Sequence, residues 1–217
     1  ESWRAWAKDQ YFVPEEKMKD IPHGNYIPAY GTPTLTRADA RRELDLPTED
    51  FIYLFFGLIR PYKNVTGLIE SFARIEQPGS TLLIAGNPVD NAIESEIQEL
   101  ADPNPSITTI LDFIPEEEVP TLFAACDIVV IPYEHMFHSG VILLAMSMGR
   151  AFVAPNSGEW VKGVAPNGNI LYDDLEEGLR EACGREDLDT VGEANLERVK
   201  QQNDWERVIE LTRRLYE

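Results

Sequence analysis

Four short runs constrain this chain more than anything else in it. "FIYLFFG" (Phe51–Gly57), "STLLIAG" (Ser80–Gly86), "DIVVIPY" (Asp127–Tyr133) and "AFVAP" (Ala151–Pro155) are apolar without alternation, and text with helical periodicity separates them. A strand with one face in water alternates apolar and polar residues; a strand apolar at every position must be covered on both faces. Repeated strand-helix order then predicts an α/β fold, with a Rossmann-like parallel sheet between two helical layers. "SITTILDFI" and "NILYD" supply two more short strands, and "PEEEVPTLFAAC" reads as a helix whose acids crowd its first turn.

The two ends read differently. Residues 1–35 are aromatic and Pro/Gly-rich ("YFVPEEK", "IPHGNYIPAYGTP") and are expected to be a hinge or linker, followed by a short helix in "TRADARREL" capped by Thr36. Residues 36–203 are expected to form the Rossmann-like domain, and 204–217, "DWERVIELTRRLYE", a final helix. At 217 residues and 43% hydrophobic content the chain can bury one substantial core. No run reaches the roughly 18 apolar residues of a membrane span, and the start lacks a signal-peptide pattern, so a cytoplasmic setting is expected. Cys126 and Cys183 lack metal or CxxC spacing and read as free thiols in a reducing compartment.

A formal charge of −19 excludes a nucleic-acid partner, which would call for a basic face. Such acid excess with scarce lysine suits a high-salt cytoplasm, an ordinary acidic enzyme being the alternative. It also makes the few cations informative. In parallel sheets, ligands bind at the carboxyl ends of strands, where loops lead into helix N-termini. The loop "GLIRPYKNV" after the first strand carries Arg60 and Lys63, a fork and a point charge suited to an anion. In "HMFHSGVILLAMSMG", Ser139 and Gly140 open a helix whose free N–H groups attract negative charge, and Gly140 lets a phosphate approach the backbone. Two anion-ready loops on one edge suit a diphosphate. His135 and His138, near Glu134, have a spacing that could hold a metal, but "HExxH" is absent and they read as polar loop residues. "DLD" at Asp187–Asp189 reads as surface, and no G-x-G-x-x-G follows a strand, which disfavours a dinucleotide dehydrogenase.

From "IPHGNY" to "DWERVIELTRRLY" these pieces, in this order, resemble the nucleotide-sugar-binding half of a GT-B glycosyltransferase of the group-1 (family 4) type. The resemblance implies a hexosyltransferase that uses a nucleoside-diphosphate sugar, GDP- or UDP-linked, with no metal and no cofactor. It places Lys63 on the donor diphosphate, with Arg60 substituting for a family arginine whose position Leu58 occupies. It places Ser139, Gly140 and Val141 on the distal phosphate, and Gly57, Gly86, Asn87, Phe113, Ile114, Tyr133, Glu134 and His138 around the nucleotide and sugar. The two family glutamates fall on Met136 and Leu144, so Glu134 is nominated as a replacement acid. A subset similar to bacterial polysaccharide and glycolipid mannosyltransferases shares these departures. The family works in a cleft between two domains, so an N-terminal domain carrying a glycan or lipid-linked acceptor is expected upstream, with the final helix packing toward it and the whole enzyme a peripheral membrane partner. A GT-B-like sugar-nucleotide epimerase and a non-catalytic binding module are the rival readings.

Overall fold

A computed structural model describes residues 3–134, 139–157, 159–165 and 168–217. In chain order the helices and strands are α1 (Trp3–Tyr11), α2 (Ile27–Tyr30), α3 (Arg37–Glu43), β1 (Phe51–Phe56), α4 (Val65–Ile75) and β2 (Ser80–Ala85). They continue with α5 (Asn91–Ala101), β3 (Ile107–Ile110), α6 (Val119–Ala125), β4 (Ile128–Val130), α7 (Gly140–Ser147) and β5 (Ala151–Pro155). Last come α8 (Glu159–Val164), β6 (Ile170–Tyr172), α9 (Leu175–Cys183), α10 (Leu188–Gln202) and α11 (Trp205–Arg213).

The six strands form one sheet in the order β3-β2-β1-β4-β5-β6, every pair parallel. The apolar runs explain it: Ile52, Tyr53, Leu54 and Phe55 of β1, Leu82 to Ala85 of β2 and Ile128 to Val130 of β4 are all fully buried. Helices α4, α5 and α9 pack together over one face, and α7 pairs with α10, and α3 with α6, over the other. The α/β fold with a doubly covered parallel sheet is therefore present.

One detail differs from expectation. Glu116, Glu117 and Glu118 do not lie in the first turn of α6, which begins at Val119. They form a separate turn closed by the Glu118 N–H donating to the Pro115 carbonyl at 3.0 Å. Pro120, at the second helical position, has no N–H to leave unpaired and sets the helix start after the acids. The opposite end of α6 is closed by arginine. Arg150 donates to the Phe123 carbonyl at 2.6 Å and the Ala124 carbonyl at 3.0 Å, and Arg41 donates to the Ala125 carbonyl at 2.9 Å. Arg41 also pairs with Asp127 at 2.6 Å, whose same carboxylate oxygen accepts the Ile52 N–H that opens β1. Asp187 and Asp189 are exposed and ion-paired to Arg185 and Arg37, as surface acids. Cys126 and Cys183 are both free; Cys126 is buried and its thiol is pushed up to about 12 by desolvation, while Cys183 is only half-buried.

At the carboxyl edge β1 and β2 end in glycines that nearly touch. Gly86 has φ 153°, and a Cβ on it would overlap the carbonyl oxygen of Gly57, itself at φ 108°. The Gly57 N–H pairs with the Ala85 carbonyl and the Gly86 N–H with the Ile110 carbonyl, so neither backbone can step aside without breaking the ladder. Gly86→Ala should therefore cost about 3 kcal/mol or more through strain and overlap. Chemical denaturation should show a lowered midpoint, whereas Gly79→Ala, at a turn with open space beside it, should cost markedly less.

Candidate functional site at the sheet's switch point

In this strand order the sequence runs outward from β1 in one direction to β3 and from β4 in the other to β6. The chain leaves β1 for α4 on one face and leaves β4 for α7 on the other. The two departing loops diverge and open a crevice beyond the carboxyl ends of β1 and β4, where open α/β sheets bind ligands. A cavity of about 260 Å³ lies there. Its walls are Phe56, Tyr62 and Lys63 from the β1 side, and Tyr133, Ser139, Gly140, Val141 and Leu144 from the β4 side. Tyr26 and Tyr30 close it from around α2.

Lys63 is the unusual member. The chain turns tightly over Pro61–Lys63, with Asn64 in the left-handed conformation at φ 52°, and this folds the lysine back under its own loop. The residue is only 8% exposed. Among the described residues no carboxylate lies within ion-pair distance of its ammonium, and no hydrogen bond from that ammonium is found. The nearest compensation is the face of Tyr133, whose centroid lies 5.3 Å from Nζ. Burial, and secondarily the charge of Arg60, pull the Lys63 amine down to about 8. Gly57 lies between the two sides: a Cβ there would stand 3.5 Å from Lys63 Nζ and 3.6 Å from Val141 Cγ2.

Opposite, Ser139 caps α7 by accepting the Ile142 N–H at 3.3 Å. The N–H groups of Gly140 and Val141 find no acceptor among the described residues, and the helix dipole adds to their pull on negative charge. Tyr133 is buried, which pushes its phenol up, with the neighbouring Ser139 hydroxyl acting the other way. The two loops are tied by the Glu134 N–H donating to the Tyr62 carbonyl at 3.1 Å, and the Tyr62 and Tyr133 rings meet edge to face with centroids 5.9 Å apart. Chemically the cavity offers an unpaired ammonium, two free backbone donors and several phenols: a receptor for an oxyanion.

Of the residues singled out from sequence, Gly57, Lys63, Tyr133, Ser139, Gly140 and Val141 thus come together. Arg60 is exposed, close enough to influence Lys63 but not lining the cavity. Gly86 is buried beneath Gly57. Asn87 is exposed and serves the backbone, its carbonyl accepting the Ile59 N–H at 2.8 Å. Phe113, 70% exposed, and Ile114 follow β3 farther along the same edge. Glu134 does not face this cavity; it lines a second one of about 310 Å³ with Asn64, Arg74, Tyr172, Asp173 and Glu176, on the far side of Tyr133. Met136 and the histidines at 135 and 138 lie outside the described residues. Sequence reasoning missed Tyr26, Tyr30, Phe56 and Tyr62 as wall residues. The tyrosines recurring in "GNYIPAY" and "RPYKN" were the available signal.

The described residues contain no helix long and apolar enough to cross a membrane and no cluster of three or more His, Cys, Asp or Glu residues able to hold a metal ion.

Comparison with known proteins agrees with this architecture. A GDP-mannose:glycolipid 4-β-D-mannosyltransferase from Xanthomonas campestris pv. campestris is 32% identical over 123 residues, 55% of this chain and 35% of that one. The chain therefore spans about a third of the length of the curated relatives it matches. Among solved structures, a glycosyltransferase from Rickettsia africae superposes with a TM-score of 0.83 at 16% identity, covering 98% of this chain and 60% of its own. Anabaena HepE, crystallised with UDP-glucose, gives 0.76 at 21% identity over 97% and 59%. At those identities the likeness is one of fold. The family model described as "Glycosyl transferases group 1" matches residues 50–185, from the first strand through α9, and the chain belongs to that family.

Proposed function

We propose that this chain is the donor-binding part of a glycosyltransferase that moves a hexose from a nucleoside-diphosphate sugar, GDP- or UDP-linked, to a glycan or lipid-linked acceptor. One observation carries the reading: a buried, unpaired lysine facing a free helix N-terminus across the switch-point crevice. A buried cation without a counter-ion is costly, and a diphosphate between Lys63 and the Gly140–Val141 amides would neutralise it. In the reaction, negative charge grows on the diphosphate as the sugar departs. Fixed donors aimed at that charge lower the barrier where catalysis gains most, and in this reading they call for no metal. Arg60 at the rim would steer the donor in and add a screened contact. Gly57, Gly86 and Asn87 would shape the floor, and exposed Phe113 with Ile114 would offer the base an apolar edge. Glu134, in the adjoining cavity, would serve the sugar more than the phosphates, and His138, outside the described residues, takes its nucleotide or sugar role from the family resemblance alone. An upstream domain would supply the acceptor, with α11 turned toward it, and a lipid-linked acceptor would bring the full-length enzyme to the inner face of a membrane. The relatives named as mannosyltransferase and as inositol-phosphate glycosyltransferase support the reaction class and leave the sugar open.

Titration calorimetry of the full-length protein with a panel of GDP-, UDP- and ADP-sugars tests this. Lys63→Met should weaken the preferred donor by about 10- to 100-fold, the range of a charge-assisted contact. Arg60→Ala, at an exposed position, should weaken it only a few-fold. Donor affinity unchanged in the double variant refutes the reading.

The lowered Lys63 amine adds a pH signature. Donor affinity should fall as pH rises above about 8, where the free site loses its positive charge, and Lys63→Met should be flat over that range. Stability should move the opposite way. Between about 8 and the ordinary 10.5 the unfolded chain binds more protons than the folded one, so the wild type gains stability as pH rises through that window. At pH 7 without ligand, Lys63→Met should therefore be more stable by about 1–2 kcal/mol, a figure reduced because the ammonium reaches cavity water. Thermal melts at pH 7 and pH 10 should show this advantage shrinking.

A further inference from the structure

The α7 N-terminus has a third donor beside it, one given no role by the sequence motifs and lying outside the family match over residues 50–185. The Tyr26 hydroxyl stands over Gly140, 2.8 Å from where a Cβ on that glycine would be. It lines the cavity together with Lys63, which is more than nine-tenths buried and lacks a counter-ion among the described residues. No hydrogen-bond partner for the Tyr26 hydroxyl is found among the described residues either.

Its mounting is far stronger than a surface aromatic needs. Asn25, just before it, is 6% exposed and is held from several sides. The Asn25 N–H donates to the Asn203 carbonyl at 2.8 Å, and its side-chain amide donates to the same carbonyl at 3.1 Å. Its backbone carbonyl accepts the Trp205 indole N–H at 2.8 Å, and its side-chain oxygen accepts the Ile27 N–H at 3.1 Å. The Tyr26 N–H donates to Ser147 Oγ at 3.1 Å, and Ser147 in turn donates to the Leu143 carbonyl within α7. Tyr26 is thus fastened to the helix whose N-terminus it overhangs. The rings of His23 and Tyr30, with centroids 5.3 and 6.0 Å away, limit its side-chain freedom.

Resting on the donor reading above, we propose that Tyr26 is a diphosphate-binding residue: its phenol donates a hydrogen bond to the phosphate held by the Gly140 amide and Lys63. A phosphate oxygen accepts several donors, and a neutral phenol adds one without the repulsion that another cation would bring to Lys63. Burial and nearby Tyr30 push the Tyr26 phenol up, so it stays protonated and able to donate across the working pH range.

The test compares wild type, Tyr26→Phe and Tyr216→Phe in the full-length protein, with GDP, UDP and inorganic pyrophosphate as probes at pH 7. Tyr26→Phe should weaken the preferred nucleoside diphosphate about tenfold and pyrophosphate by a similar factor, because the lost contact is to phosphate. Tyr216→Phe, at an exposed position away from the cavity, should stay within about twofold. The rise in Tm on saturation with pyrophosphate should shrink in Tyr26→Phe, a readout that stands even if that variant's starting Tm moves. Equal affinity of wild type and Tyr26→Phe overturns the proposal and leaves the donor reading intact. So does a loss seen with the nucleotide but not with pyrophosphate. Failure of the wild type to bind any of the three overturns the donor reading and this proposal with it.

Discussion

The reversal of strand order between β1 and β4 is the constraint on which the rest depends. Once the sheet grows outward in both directions from that pair, the loops after β1 and β4 must part to opposite faces, and a crevice is unavoidable. Nearly everything of interest stands at its mouth. The Gly57–Gly86 contact lets the two strand ends finish close together, the turn at Pro61–Lys63 tucks an ammonium under one lip, and the start of α7 forms the other.

Charge use in this chain separates two kinds of cation. Arg41 and Arg150 spend their fork geometry on the open carbonyls of α6, and Arg41 with Asp127 joins that helix to the first residues of β1. These are paired, partly or wholly buried groups whose work is structural. Lys63 is buried without an acid, against only an aromatic face. In a protein with twice as many acids as bases, a carboxylate could easily have been placed beside it. An unmatched buried charge at a switch point is the kind of group that functional sites keep at some cost in stability, and the donor reading rests on it.

The sheet was legible because its signal is local. Runs such as "FIYLFF" and "STLLIA" are apolar at every position, and only a doubly covered strand explains that. The helix start at Ser139–Val141 and the lysine were legible for a related reason: strand, loop and helix start are adjacent in sequence, so edge position follows from order alone. What escaped was non-local. Nothing in "GNYIPAY" says that Tyr26 will rest on a helix 114 positions later, because the bonds that put it there run to Ser147, Asn203 and Trp205. Glu134 shows the converse. It directly follows Tyr133 in sequence, yet Tyr133 borders both cavities and the acid lines only the second. Arg60 and Lys63 part company similarly, because a single tight turn buries one and leaves the other in water. The first-turn acids expected of α6 fell outside it because the proline shifted the helix start.

The bonds between residues 23–30 and residues 199–205 act as a clasp. Asn25 reaches the carbonyls of Val199 and Asn203, and Trp205 reaches back to Asn25 and lies against Gly24. The crevice is walled on one side by a stretch of chain held by this clasp and by the Tyr26 bond to Ser147 of α7. Asn203, between α10 and α11, and Trp205, the first residue of α11, couple that helix to the tyrosine wall. A displacement of α11 would therefore reach the wall of the crevice through Trp205 and Asn25.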